Sequence, residues 1–390
     1  MTGLATAGRA VRDAQEEERT ARAALSAVLD PGAVAVLTAV GASSGCDVVG
    51  RLLAGDHELD PTGRYGRRAL GVDGRRVLES AHEVAATFVI PSDPGWPETL
   101  DELAQVSVGG HGGVPVGLWV RGDIGLLRAP TVAVVGSRAA TSYGMDVAAE
   151  LSAGLGEAGV TVVSGAAYGI DAAAHRGALA VGGGTVAVLA GGVDVAYPRG
   201  HAGLLRRICE QGALASEVAP GRTVTRRAFL ARNRVVAALT TGVVVVEAGA
   251  RSGARNTVSW AEDLSRVVCG VPGPITSSLS VGPHELVRAG HVLVTSAADV
   301  LEVTSTMGAN LVEMAPKPRR PQDALSAQEQ VVIEAFPATA ACSVAAIVSG
   351  TGLTVGDVLG ILARLENAGF VAGAGEEWRL TAAYRDERGS

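Results

Sequence analysis

The chain has 390 residues, room for two or three domains. With 47% hydrophobic and 19% charged residues it can bury a sizeable core, which excludes overall disorder. Its net charge of −7 excludes a generally basic DNA-coating surface, so any nucleic-acid contact must be confined to a patch.

Residues 1–80 read as a small helical domain. Thr20 to Leu29 is amphipathic, Val34 to Val40 follows an Asp30-Pro31-Gly32 turn, and Cys46 to Leu53 is a further helical segment. The polar N-terminus carries no apolar signal core, and no apolar run is long enough to span a bilayer. A soluble cytoplasmic protein is expected, with no membrane partner. Cys46, Cys209, Cys269 and Cys342 are widely spaced, pointing to neither a disulfide framework nor a zinc site. A proline-containing stretch, Phe88 to Leu100, leads to a strand at GLWVRG.

From Thr131 short β-branched runs alternate with Ala-rich helical segments. Strands are expected at Thr131–Val135, Val160–Val163, Thr185–Leu189, Leu214–Ser216, Gly242–Val246, Val267–Cys269 and Val292–Val294. Nearly all-apolar strands between helices imply an α/β fold: a doubly wound, mostly parallel sheet covered on both faces, over 81–305. Residues 306–323 read as a linker. In 324–390, three helical patterns precede a hairpin around Gly373 and Gly375, the winged-helix arrangement.

The chemistry gathers at strand ends. After the first strand of the sheet, Gly136 allows a tight turn and Arg138 projects over it. Thr141 and Ser142 can cap a helix whose free N–H groups attract an anion. The second strand ends in SGAAYGIDAAAH. Ser164, Gly165 and Gly169 let backbone approach a phosphate or base, with Asp171 and His175 ordering the loop. The alternative is an Asp171 helix cap with His175 as its neighbour. Further on, Ser252 and Gly253 can donate to an anion. From Val218 to Val246 there is no acidic residue, yet Arg222, Arg226, Arg227, Arg232 and Arg234 fall there around a single aromatic, Phe229. Closely spaced cations with one flat ring suit single-stranded nucleic acid; the alternative is a solvated helix face. No nucleophile–base pair, metal spacing, Walker loop or dinucleotide fingerprint is evident, so neither a cofactor nor an enzyme is expected.

Gly136-Ser137-Arg138, SGAAYGIDAAAH, GGVDVAYPRG, FLARNR, VVVVEAGARSG and Val271-Pro272-Gly273 occur in an order that resembles the DprA/Smf DNA-processing family. The similarity covers roughly Phe88 to Val303, and more loosely both flanking regions. It implies an extended Rossmann-type domain that binds single-stranded DNA, dimerises, and helps load RecA recombinase during natural transformation, without enzyme activity. The 1–80 segment would then be a SAM-like domain. By the same resemblance Gly136, Ser137 and Arg138 hold phosphate, and Arg226 stands where a phosphate-binding lysine is usual. Phe229 packs on an inserted base, Arg232, Asn233 and Arg234 form the RNR signature, and Ser252, Gly253 and Thr257 supply a further loop. Arg255-Asn256 and Pro283-His284-Glu285 depart from the family's usual residues, and the N-terminal region carries no helix–hairpin–helix signature. A rival reading is a phosphoribohydrolase on a related fold, but the glycines of EAGARSGARNT lack a following Glu. With eight acids and four arginines in 324–390, the winged helix suits protein contact or a structural role better than a major groove.

Overall fold

The computed structural model describes residues 2–305, 325–337, 340–374, 377–382 and 384. The expected linker at 306–323, and Gly375 of the expected hairpin, lie outside the described residues. The chain forms two compact units, 1–312 and 313–390.

The first unit is built on a nine-stranded sheet. Its strands are β1 (Thr87–Val89), β2 (Leu118–Gly122), β3 (Thr131–Val135), β4 (Thr161–Ser164), β5 (Thr185–Val188), β6 (Ala213–Ser216), β7 (Gly242–Val245), β8 (Val267–Gly270) and β9 (Val292–Leu293). The spatial order is β1-β2-β6-β5-β4-β3-β7-β8-β9. The seven strands from β6 to β9 are parallel, while β2 runs antiparallel to β6 and β1 antiparallel to β2. From β3 the chain steps outward to β6. It then returns to pair β7 against the free side of β3, with Val135 opposite Val245, and steps outward again. Loops leaving β3 and β7 therefore diverge to opposite faces, and a crevice opens between them at the carboxyl edge.

Alternation within the strands sorts side chains into two layers. Ala133, Val135, Val163, Val243 and Val245 pack with Val235, Val236 and Trp260 of the helices Arg226–Ala238 and Ala254–Asp263. Val132, Val134, Val162 and Val244 pack with Leu151, Leu155 and Ala174 of the helices Ser142–Glu157 and Ile170–Ala180. The doubly wound α/β architecture expected from the all-apolar runs is present, each strand within a few residues of its expected bounds. The sequence pattern missed β1, whose three residues sit in a proline-containing stretch, and the antiparallel edge it forms with β2.

The N-terminal helices pack on that edge. Ala23 of the helix Thr2–Val28 and Ala81 of the helix Gly74–Glu83 share one buried cluster with Phe88, Trp119 and Ile208. The Phe88 and Trp119 rings stack with centroids 4.2 Å apart, and Trp119 Nε1 donates to Ser26 Oγ at 3.1 Å. Arg19 grips Asp93 through two hydrogen bonds of 2.6 and 2.8 Å.

The second unit is a winged helix. Helices Ala327–Glu334, Val344–Thr351 and Val355–Asn367 enclose Val332, Ile347, Ile361 and Leu365, and a three-stranded sheet closes the core. No single helix among the described residues is long and apolar enough to cross a membrane.

Trp119 is fully buried and holds the N-terminal helices to the sheet through both stacking and a hydrogen bond. Trp119→Ala should lower stability by about 3–5 kcal/mol. Urea unfolding followed by circular dichroism measures this; an unshifted midpoint would show that the edge is held elsewhere.

Candidate nucleic-acid interface

At the crevice between β3 and β7, one carboxylate organises both loops. Glu247, two residues past β7, is 2% exposed. Its carbonyl accepts Ser137 N–H at 2.6 Å, and its carboxylate accepts Thr141 N–H at 2.9 Å and Thr141 Oγ1–H at 2.6 Å. Thr141 caps the helix Ser142–Glu157 as expected, taking Gly144 N–H at 3.1 Å. The anion at that helix start is Glu247 itself, so the expected phosphate position there is already filled by the chain.

Beside this clamp lies a cleft of about 590 Å³. Gly136, Ser137 and Arg138 line it from the β3 loop, Gly165 and Asp171 from the β4 loop, and Ser252, Gly253 and Thr257 from the β7 side. Phe229, Arg232 and Asn233 line it from the helix Arg226–Ala238. Arg138 is exposed, with its guanidinium carbon 5.0 Å from the centroid of the half-buried Phe229 ring, a cation–π arrangement. A smaller apolar pocket opens on the other side of this pair. It is lined by Tyr168, Leu189, Val195, Tyr197 and Val224, with the Tyr197 and Phe229 centroids 5.4 Å apart. The sequence reading left Tyr168 and Tyr197 out of the site. Their place in two separate glycine loops was the available signal. Arg251, also exposed, lines the large cleft.

Several expected site residues do something else. Ser164 is fully buried: its hydroxyl donates back to Val134 O at 2.7 Å and lies beside the Asp171 carboxylate, so it faces the interior and not the cleft. Gly169 does not line the cleft. Its φ of 75° and the closeness of Ser137 O to any added Cβ make it the hinge that starts the next helix. Asp171 does order its loop, accepting Gly165 N–H and Ala167 N–H at 3.2 Å each. Burial pushes its carboxyl up, opposed by the Arg232 guanidinium and these amides.

The arginines divide sharply. Arg232 is 7% exposed and donates to Val188 O at 2.5 Å, filling the space a Cβ on Gly165 would need. Arg234 is fully buried on another side of the helix and ion-paired to Glu217, which sits one residue before the acid-free window. Arg222 donates to Ser26 O in the last turn of the first helix and to Leu29 O just beyond it. Asn233 Nδ2 donates to Asn256 Oδ1 at 3.1 Å. The RNR triplet is thus mainly a set of ties to three neighbouring elements. Three consecutive helical residues point about 100° apart; Arg232 and Asn233 still border the cleft, while Arg234 is turned away from it to Glu217. Arg226 and Arg227 remain exposed on the first helical turn. Arg226 lies outside the cleft itself but on the Phe229 face by its spacing.

Residues 87–305 match the family model for DNA recombination-mediator protein A, and residues 316–375 match the DprA winged helix domain. The chain belongs to the DprA/Smf family. It is 44% identical to the putative DNA processing protein DprA of Mycobacterium tuberculosis, over 92% of this chain and 93% of that one. It is 37% identical to protein Smf of Escherichia coli, over 66% of this chain and 70% of the relative. The X-ray structure of DNA processing protein A from Streptococcus pneumoniae superposes with a TM-score of 0.62 at 32% identity, covering 74% of this chain and 98% of that one. As a DprA/Smf protein the chain acts in DNA processing. The winged helix of this member has its third-helix cation, Arg364, engaged with Glu329 at 2.8 Å, and exposes Val355 and Leu359 instead.

His175, expected to order the β4 loop, is instead part of the core. It is fully buried, with Nδ1 2.8 Å from Thr185 Oγ1, and burial lowers its pKa from 6.5 to about 3. Between those values the unfolded chain binds a proton that the folded one refuses, so this contribution to stability is lost as pH falls below about 6.5. Stability should drop by roughly 1 kcal/mol between about pH 7.5 and pH 5.5 through this group, and His175→Leu should flatten that slope. Denaturant midpoints at the two pH values test it; an equal slope in both proteins would refute it. Arg234→Ala leaves the buried Glu217 carboxylate unpaired and should cost about 3–5 kcal/mol. If DNA contact were its role, salt dependence of binding would change with stability intact.

Proposed function

We propose that this chain binds single-stranded DNA along the carboxyl edge of its sheet and delivers it to a RecA-type recombinase, as a homodimer. The carrying observation is the Arg138–Phe229 pair standing between a polar cleft and an apolar pocket. A cation faces phosphate while the ring and pocket take a base, a combination an unpaired strand can satisfy and a stacked duplex cannot. Arg226, Arg227 and Arg251 add exposed cations around it, and Gly136, Ser137, Ser252 and Gly253 supply backbone and hydroxyl groups at close range.

Recombinase loading and the setting of natural transformation follow from the family resemblance. Dimer formation likewise follows from the family resemblance. The phosphoribohydrolase reading needs a carboxylate free to act on a sugar. Glu247 commits both carboxylate oxygens to Thr141, and Asp171 commits Oδ2 to Gly165 and Ala167.

Fluorescence anisotropy with single- and double-stranded oligonucleotides at two salt concentrations tests the proposal. The single strand should bind tighter. Phe229→Ala should weaken it by about 1–3 kcal/mol with the salt slope nearly unchanged. Arg138→Ala and Arg226→Ala should each reduce the log–log slope by about 0.7. Equal affinity for both forms of DNA, or slopes unmoved by both arginine variants, would sink the proposal.

A further inference from the structure

The cleft leaves a second group of guanidinium groups unused. The helix Arg64–Ala69 carries Arg64, Arg67 and Arg68, and Arg75 and Arg76 open the helix Gly74–Glu83; all five are exposed. Asp73 pairs with Arg76 at 3.8 Å, but the other nearby carboxylates do not cancel the Arg64–Arg68 group. Asp60 turns inward and accepts Tyr65 N–H at 2.7 Å and Gly66 N–H at 3.0 Å. Asp30 is shared between Arg64 at 2.6 Å and Arg68 at 3.1 Å, and Arg67 has no ion-pair partner among the described residues. Tyr65 adds a half-buried ring, with the Arg64 guanidinium carbon 5.9 Å from its centroid.

This group adjoins the loop that enters the Arg226 helix. Arg68 donates to Val28 O at 3.0 Å, and Arg222 donates to Leu29 O at 2.8 Å and Ser26 O at 3.1 Å. Two arginines from distant parts of the chain thus meet at the carboxyl end of the first helix, where unpaired carbonyls and the helix dipole favour cations. Two residues beyond Arg222, Val224 lines the apolar pocket beside Phe229. The cations of the N-terminal helices therefore adjoin Arg222, two residues along the chain from a wall of that pocket. Capping the first helix would need one or two of them and does not account for Arg67; the Tyr65 ring packs in part against the N-terminal core and lies beside the Arg64 guanidinium. A guanidinium has five N–H donors, so Arg64 and Arg68 keep donors facing outward after serving Asp30.

We propose that Arg64, Arg67 and Arg68, with Tyr65, form a second phosphate-binding step that carries the single strand from the cleft onto the N-terminal helices. The inference rests on the single-strand reading of the cleft. It gives the helical region a role in site size: the cleft holds the strand's first nucleotides and the Arg64–Arg68 turn lengthens the footprint.

The full chain is titrated with oligothymidylates of about six and about 24 nucleotides across a salt series. In the wild type the longer strand should show the steeper salt dependence, by about 0.7 for each added phosphate neutralised. Combined Arg64→Gln, Arg67→Gln and Arg68→Gln should remove about 2 from the long-strand slope and leave short-strand affinity unchanged. Because Arg68 also caps the first helix, Arg67→Glu alone serves as the second variant; it should weaken long-strand binding only. Equal slopes for the two lengths in the wild type would overturn the second step, as would variants that bind long strands like the wild type. Equal losses on both lengths would place the effect in the cleft or the fold and overturn it too. Failure of the wild type to bind either strand would instead overturn the reading of the cleft.

Discussion

Everything at the carboxyl edge depends on the Glu247 carboxylate. Strands β3 and β7 are neighbours whose following loops leave toward opposite faces, and backbone pairing between them reaches only to Ser137 and Glu247. Glu247 holds the loops together, taking Ser137 N–H on its carbonyl and the Thr141 backbone and hydroxyl donors on its carboxylate. A buried carboxylate is tolerable only with such donors and with the positive end of a helix dipole. The helix Ser142–Glu157 supplies both. In many sheets of this class a ligand phosphate takes that position. Here an internal anion takes it, which pushes any bound polyanion outward to Arg138 and across to the Ser252–Gly253 turn.

The helix Arg226–Ala238 completes the edge, and its polar residues point three ways. Arg232 reaches Val188 O beneath Gly165, Asn233 reaches Asn256, and Arg234 reaches Glu217. Each tie fixes the helix against a different neighbour: the β5 end, the following helix and the β6 end. Their joint effect is to set the rotation of the helix. That rotation decides where Phe229 stands between the cleft and the apolar pocket. On the proposed single-strand reading, the RNR triplet would serve DNA binding through Phe229, by holding its ring under Arg138, more than by touching phosphate.

The fold was legible because β3 to β8 are short, nearly all-apolar runs bounded by glycine or polar residues, a pattern that only a sheet covered on both faces explains. β1 was not legible, since three residues among prolines carry no period. At the site, the glycine loops were readable as a set, because strand ends of one parallel sheet must converge. The direction of single side chains was less so. A serine at a strand's last position can face the loop or the strand before it, and Ser164 faces back to Val134 O. For the arginines the helical period already argued against a common target: Arg226, Phe229 and Asn233 share a face, while Arg232 and Arg234 diverge from each other by about 200°. Glu217 escaped notice because partners across a fold leave no trace in a charge window.

An acidic chain can hold a polyanion when its charges are sorted by depth. The carboxylates beside the cleft, Asp171 and Glu247, are buried, hydrogen-bonded to backbone or hydroxyl donors and, for Asp171, opposed by Arg232, so little of their field reaches solvent. The cations nearest it are the reverse: Arg138, Arg226, Arg227 and Arg251 are exposed. Buried Arg232 and Arg234 contribute geometry, and their charge is met by Asp171 and Glu217. Much of the acidic excess sits in 324–390, where eight acids face four arginines. What a strand would meet at the edge is set by the few guanidinium groups left without internal work, and the −7 of the whole chain says little about it.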